Sequence, residues 1–367
     1  SNGEQIMKIG ILTAGGDCPG LNAVIRGFAK YVYNQIPDAE IIGIQDGYRG
    51  LINGEFSKLK ESDFSGILNI GGTILGTSRQ PFKQMKVEDQ NGESRLDQMV
   101  KNYKKNKLDL VVTLGGAGTH KTASLLSDAG CNVIGLPKTI DNDIWGTDVT
   151  FGFHTALEID TECIDRIHTT AASHGRTMLV EIMGNKVGWL TLYSGIAGGA
   201  DIILIPEIPY DPDEVCNMVT KRSEKGKAFT IIAIAEGAMS KKEAGMKKAE
   251  RLEYRNGEAT ATNMLAKYIQ EKAGVETRTV VPGHIQRGGS PSPYDRLLST
   301  ELGSFAGKLV QEGNFGKTVA IINNQITYNR LSDVAGKTKY VDEDNQMIKI
   351  GRSIGISFGD GKKFKGI

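Results

Sequence analysis

The chain has 367 residues, enough for two domains with their own cores. Hydrophobic residues make up 39% and charged residues 24%, as in an ordinary globular protein, and the formal net charge of +1 gives no global attraction to nucleic acid or to an anionic membrane. Cys18, Cys131, Cys163 and Cys216 form no CxxC pair, which fits free thiols in a reducing cytoplasm and excludes a cysteine metal cluster. The apolar runs, such as Ile202–Pro206, fall far short of a membrane span, and no signal peptide is apparent.

The first expected strand is Lys8–Leu12, followed by Gly15-Gly16 and by a helix from Leu21 to about Tyr33. A strand at Glu40–Ile44 comes next, then the doublet Gly71-Gly72. The strand Asp109–Leu114 runs into Gly115-Gly116, and a helix follows with Thr119 as its capping residue. A strand at Asn132–Leu136 ends in Pro137-Lys138-Thr139-Ile140-Asp141-Asn142-Asp143. The helix Thr155–Ala172 carries Leu157, Ile164, Ile167 and Ala171 on one stripe and Glu158, Asp165 and Arg166 on another. Strands at Thr177–Met183, Asp201–Ile205, Phe229–Ala235 and Val319–Ile322 complete the alternation, while residues 337–367 have no clear assignment. Continuous apolar strands alternating with helices predict an α/β fold with mostly parallel sheets, whose ligands bind at the carboxyl ends of the strands.

Glycine is over-represented: there are 46, where average usage gives roughly 26. The pairs Gly15-Gly16, Gly71-Gly72, Gly115-Gly116, Gly198-Gly199 and Gly288-Gly289 are expected in turns at strand ends, where a backbone can approach a ligand closely. Two of these turns lead into helices, and exposed N–H groups at a helix start hold phosphate oxygens. Gly118, in the second of them, is expected to have positive φ. In residues 137–143, two carboxylates two apart, beside a hydroxyl and a lysine, suit phosphoryl transfer: one accepts the proton of an attacking hydroxyl and the other helps to hold Mg²⁺. The same residues also suit an Asx-rich turn capping a helix. His284 and Arg287, with Arg278 upstream, form a basic cluster suited to a phosphomonoester.

In order and spacing, Gly15-Gly16-Asp17, Gly71-Gly72-Thr73 with Arg79, Thr139-Ile140-Asp141-Asn142-Asp143, Met183-Gly184 and Gly283-His284-Ile285-Gln286-Arg287-Gly288-Gly289 resemble the 6-phosphofructokinase family over roughly residues 7 to 330. The resemblance implies two three-layer α/β domains. A donor-binding domain would span 4–152 plus about 286–336, and a fructose 6-phosphate-binding domain 153–285 plus about 337–367. It implies that Asp141 is the general base, with Asp143 and Thr139 positioning the hydroxyl and the transferring group. Arg176 and Arg278 would reach the 6-phosphate from a neighbouring subunit of a homotetramer or homodimer. His284 and Arg287 would bind it within the subunit, Glu236 would bond the sugar, and Met183 and Gly184 would line its pocket. Gly15, Arg79, Gly116, Gly118, Thr119 and Lys138 would face the donor.

The resemblance breaks at the donor. Ala117 stands where many relatives carry an aspartate that helps to hold Mg²⁺, so the metal would lean on the donor phosphates, water, Asp141 and Asp17. Gly118 leaves room for an α-phosphate and favours ATP, whereas Lys138 resembles the lysine of pyrophosphate-using relatives. ATP is the expected donor and pyrophosphate the alternative. A non-catalytic descendant would explain Ala117 but not the retained Asp141, Asp143 and Arg176.

Overall fold

A computed structural model describes residues 5–227 and 229–367. The chain divides into two compact units. The first contains the residues up to Thr155 together with Arg287–Lys339, and the second Ala156–Gln286 with Tyr340–Ile367.

In chain order the first unit begins with β1 (Lys8–Thr13), α1 (Leu21–Gln35), β2 (Glu40–Ile44), α2 (Tyr48–Asn53) and β3 (Phe56–Lys58). It continues with α3 (Arg95–Lys105), β4 (Leu110–Gly115), α4 (Ala117–Asp128), β5 (Val133–Thr139) and β6 (Phe151–Gly152). The chain then passes through α5 (Phe153–His174) into β7 (Thr177–Ile182), α6 (Trp189–Ala197), β8 (Ile202–Leu204), α7 (Pro212–Glu224) and β9 (Thr230–Ala235). Next come α8 (Lys241–Ala244), α9 (Lys248–Tyr254), α10 (Thr262–Ala273) and β10 (Thr277–Val280). The return to the first unit supplies α11 (Pro293–Gln311), β11 (Lys317–Ile322), β12 (Gln325–Arg330) and α12 (Leu331–Val334), and α13 (Gln346–Ser353) lies in the second unit.

The first unit's eight-stranded sheet runs β12-β11-β5-β4-β1-β2-β3, with β6 paired to β5. Its central pairs are parallel, while β3 and β12 are antiparallel edges. The second unit's sheet runs β10-β7-β9-β8 and is wholly parallel. β4 is buried along its whole length, as its unbroken apolar run requires. One core cluster gathers Leu12, Ile44, Met99, Val111, Leu126 and Leu331; another gathers Leu179, Ile202, Val215, Ile232, Leu265 and Ile269.

Close backbone contact shapes the first unit. A Cβ on Gly303 of α11 would lie 2.4 Å from the carbonyl of Val24 on α1, and one on Gly27 would lie 3.0 Å from Thr300 O. Only glycine lets these helices meet at that distance. Asp295, buried near the start of α11, accepts from the N–H groups of Gly152 (3.1 Å) and Thr155 (2.7 Å) and from the Thr155 hydroxyl (2.6 Å). It thereby supplies the cap of α5 from another element.

Several expectations change. Thr119 does not cap α4; Gly116 is the N-cap, in extended conformation, and Thr119 sits within the first turn. Gly198-Gly199 do not follow a strand but end α6. Residues 140–150 cap no helix; they lead into β6. The unassigned C-terminal stretch is divided between the units, and Ile203 N donates to Ser357 O (2.9 Å) beside β8.

Asp160 on α5 is fully buried, and neither carboxylate oxygen has a hydrogen-bond partner in the structure. Burial pushes its carboxyl well above the ordinary range. A raised folded-state value stabilises fully below the ordinary carboxyl pKa and is lost as pH rises toward the raised one. Asp160→Asn should therefore be more stable than the parent at pH 8, with the difference shrinking toward pH 5 by up to about 1.4 kcal/mol per pH unit. Urea unfolding midpoints across that range measure it; parallel curves would exclude a protonated Asp160.

Candidate active site

β1 and β5 bring the first cluster together. Gly15 has φ +81° and its N–H donates to Ser78 O (3.1 Å), while the Thr77 hydroxyl donates to Gly15 O (2.6 Å). Lys138 near the end of β5 is buried, and its ammonium donates to Gly16 O. A Cβ on Gly15 would lie 3.3 Å from that ammonium, and one on Gly16 would lie 3.1 Å from Arg287 Cζ. The glycine doublet is thus the floor on which two cations rest. The Gly71-Gly72 loop joins them: a Cβ on Gly71 would lie 2.4 Å from Gly289 O, and the Ser290 hydroxyl donates to Asn69 O (2.8 Å).

The carboxylates follow β5. Asp141 N–H donates to Thr139 Oγ1 (2.9 Å), and Asn142 adopts the left-handed conformation at φ +56°. The Asn142 side chain accepts from Thr150 N–H (3.1 Å), while the Thr150 hydroxyl donates to Thr139 O (2.7 Å), so the loop is closed on itself. Burial raises the Asp141 carboxyl, opposed first by Arg287, then Lys138, then the Thr139 hydroxyl and Arg79. Asp143 is pushed up to about 7, by burial first and by the Asp141 charge second, with Lys339 and Lys138 pulling the other way. Lys138 itself is lowered by burial, with Asp141 and Asp17 among the charges that oppose the shift. Burial thus makes both carboxyls hold a proton more readily than usual, and Asp143, near 7, is poised to exchange one at neutral pH.

The third part is the turn from β4 into α4. Gly115 is demanded by packing, since a Cβ there would lie 2.3 Å from the side chain of buried Thr119. The Tyr48 hydroxyl donates to Thr119 O (2.8 Å). No side chain caps Gly116, which leaves the first N–H groups of α4 to a ligand. Gly118 lies inside α4 without the expected positive φ, and a Cβ there would meet nothing within 4 Å. The glycine is therefore not required by the fold.

In the second unit, the turn after β7 carries Met183, whose N–H donates to Gln286 Oε1 (3.1 Å), and Gly184, where a Cβ would lie 2.5 Å from Val187 O. Glu236, just past β9, donates its N–H to Ile182 O (2.8 Å). It lines a cavity of about 940 Å³ with Asn185, Lys186, Glu207, Arg251 and Tyr340. Arg176 Nε lies 3.1 Å and Arg278 2.7 Å from the same Glu276 oxygen. This charge, the Arg176 contact above all, holds the Glu276 carboxyl below its ordinary value. His284 and Arg287 are divided: His284 belongs to the second unit, while Arg287 falls in the first, against Gly16.

Three contributors were missed in the sequence. Gln286 is fully buried and also donates to Gly283 O (3.0 Å), fixing the shape of its loop. Glu276 stands two residues before Arg278, the spacing of one strand face, which is a readable signal. His120 on α4 bonds the Gly116 carbonyl, and nothing local in the sequence marks it. Among the described residues, no group of three or more His, Cys, Asp or Glu side chains is placed to hold a metal, and no helix is long and apolar enough to cross a membrane.

Residues 8–310 match the family model described as Phosphofructokinase. The chain is 54% identical over 357 residues to an ATP-dependent 6-phosphofructokinase of Spirochaeta thermophila, covering 96% of this chain and 97% of that protein. It is 46% identical to ATP-dependent 6-phosphofructokinase 3 of Bacteroides thetaiotaomicron, covering 96% and 100%. Pichia pastoris phosphofructokinase in the T-state superposes with TM-score 0.77 at 32% identity, covering 96% of this chain, which spans 36% of that longer one. The pyrophosphate-dependent enzyme of Marinobacter aquaeolei shares the fold, with TM-score 0.78 at 18% identity, covering 99% and 94%. With the glycine floor, the paired carboxylates and the uncapped helix start on one side, and these matches on the other, the chain belongs to the phosphofructokinase family.

Proposed function

We propose that this chain transfers the terminal phosphoryl group of ATP to the 1-hydroxyl of fructose 6-phosphate, giving fructose 1,6-bisphosphate in the cytoplasm. The observation that carries the donor assignment is open space at Gly118, where a side chain would meet no protein atom within 4 Å. That vacancy suits an α-phosphate, and the Spirochaeta and Bacteroides relatives bear names that specify ATP. Asp141 accepts the proton of the attacking hydroxyl, supported by its raised carboxyl and by its hold on Thr139. Asp143 and Thr139 orient the hydroxyl and the transferring group. Lys138, Arg79, Gly15, Gly116 and Thr119 receive the donor's phosphates, Lys138 as a point charge already seated on Gly16 O.

Glu236, Met183, Gly184, His284 and Arg287 receive the sugar phosphate. Arg176 and Arg278, paired through Glu276, serve the 6-phosphate of a neighbouring subunit, so the active form is a homodimer or homotetramer. Mg²⁺ fits this chain as a guest of the donor phosphates: Ala117 offers no oxygen, and Asp17 and Asp141, which both act on Lys138, are the acidic side chains that would meet it. When bound, the metal neutralises phosphate charge.

The deciding experiment is a coupled assay of the purified chain with fructose 6-phosphate, offering ATP and pyrophosphate separately. Turnover with ATP is expected; turnover with pyrophosphate alone would transfer the weight to Lys138 and refute the ATP assignment.

Asp141→Asn should keep the fold and sugar binding and cut turnover by about 10²–10⁴-fold, the contribution of a positioned base. Near-normal turnover in the folded variant would remove Asp141 from that role.

Gly118→Asp should raise the KM for ATP and shift preference toward pyrophosphate, leaving the KM for the sugar within about twofold. The added carboxylate would stand against the α-phosphate, and like charges in a partly desolvated cleft repel. Residue 118 lacks positive φ and steric crowding, so the melting temperature should scarcely change. Unchanged donor preference in the folded variant would dismiss Gly118 as the gate.

A further inference from the structure

His120 lies on the second turn of α4 and is 1% exposed. Its Nδ1 is 2.8 Å from Gly116 O and its Nε2 is 2.8 Å from Thr318 Oγ1 on β11. A carbonyl oxygen only accepts, so Nδ1 carries a proton; with the ring pKa lowered by burial to about 4, Nε2 is unprotonated at neutral pH and accepts from the Thr318 hydroxyl. The ring is therefore neutral and in one tautomer. The Lys138 charge on β5 acts on its pKa in the same direction as burial. Thr318 is 2% exposed and sits opposite Gly135 of β5, where a Cβ would approach its hydroxyl to 3.1 Å.

Gly116 is a peculiar partner. It is the N-cap of α4, no side chain caps it, and its carbonyl also accepts the backbone N–H of His120 at 3.0 Å. One residue thus grips one carbonyl twice, through main chain and side chain. The plane of that peptide sets the aim of the N–H groups that follow, the groups left free at a helix start. The turn lacks the acidic residue at 117 through which a metal would help to hold it, and glycines at 115, 116 and 118 leave it little intrinsic stiffness.

We propose that His120 and Thr318 are positioning residues for the phosphoryl donor: together they fasten the Gly116 carbonyl to the sheet and so hold the turn at 116–119 in the shape that receives the donor's phosphates. This rests on the donor site proposed above. His120 need touch neither substrate; it acts through Gly116. Preorganisation of this kind lowers the ordering cost of binding, so its loss appears first in donor affinity.

The two ring nitrogens can be separated by substitution. The amide of Asn reaches the position of Nδ1 and that of Gln the position of Nε2. His120→Gln should therefore lose the Gly116 bond and raise the KM for ATP about tenfold, the loss of a hydrogen bond of ordinary strength, with the KM for fructose 6-phosphate within about twofold. His120→Asn should recover most of the donor affinity. Thr318→Val should weaken ATP several-fold and Thr318→Ser should restore it, which keeps the test available if a histidine variant fails to fold. ATP affinity is read by steady-state kinetics and by titration calorimetry, with melting temperatures alongside. A folded His120→Gln that lowers only the melting temperature, or that raises both KM values equally, overturns the proposal. Gly118→Asp serves as the control for the donor site: if it alters ATP affinity while His120→Gln does not, the positioning role alone fails, and if neither does, the donor site itself is misplaced.

Discussion

The constraint on which the first unit's chemistry depends is the buried ammonium of Lys138. A charge removed from water must be met by neighbours, and here Gly16 O, Asp141 and Asp17 meet it. That requirement fixes much else. Gly15 takes φ +81° beside it, where a Cβ would be strained and would stand 3.3 Å from the ammonium. Asp141 is drawn down from the value that burial alone would give it, while Asp143, one Asn further on, feels Asp141 as a repulsive neighbour and is left near neutrality. The charges that oppose burial therefore differ between the two carboxyls: Arg287 and Lys138 lead at Asp141, whereas at Asp143 the Asp141 charge adds to burial. A neutral residue at 138 would remove one of the two leading charges that favour ionised Asp141.

Rigidity around that charge comes from backbone, not from bulk. Asn142 takes a left-handed conformation and spends its side-chain acceptor on Thr150 N–H. Thr150 returns a hydrogen bond to Thr139 O, so the segment carrying both acids is closed at its two ends. Beside it, Gly115 yields its side-chain space to Thr119, and Thr119 yields its carbonyl to Tyr48. Each glycine in these turns has its own reason. Gly115 is steric, Gly15 is conformational and electrostatic, and Gly118 has neither reason, which is the basis of the donor role proposed for it.

This distinction marks what was legible in the sequence. The parallel strands were, because burial on both faces writes them as unbroken apolar runs: Glu40–Ile44 was bounded correctly and β4, β5 and β9 to within a few residues. The edges were not. β3 and β12 are short or half exposed, pair antiparallel and carry mixed polarity, so no run announces them. Thr119 was misread as a cap because a hydroxyl near a helix start is usually one, whereas here its side chain is buried against Gly115. Positive φ is expected at Gly118 from its place in a strand-to-helix turn, but helix α4 has already begun one residue earlier. The motif residues were legible one by one; what pairs them was not, because Gln286 with Met183 and His120 with Thr318 are separated by 103 and 198 positions.

Arg176 and Arg278 illustrate the same limit in the second unit. Their side chains share a single oxygen of Glu276, which is itself half exposed. Two guanidinium groups brought side by side repel, and an anion between them relieves the repulsion. Glu276 supplies that anion from the chain itself, with one oxygen in contact with both groups. Solvent screens the contact, so it contributes little to stability. Its consequence is instead geometric: two arginines that would otherwise splay apart remain adjacent. For the 6-phosphate role proposed above, the phosphate would compete with one carboxylate oxygen for two guanidinium groups that already share it.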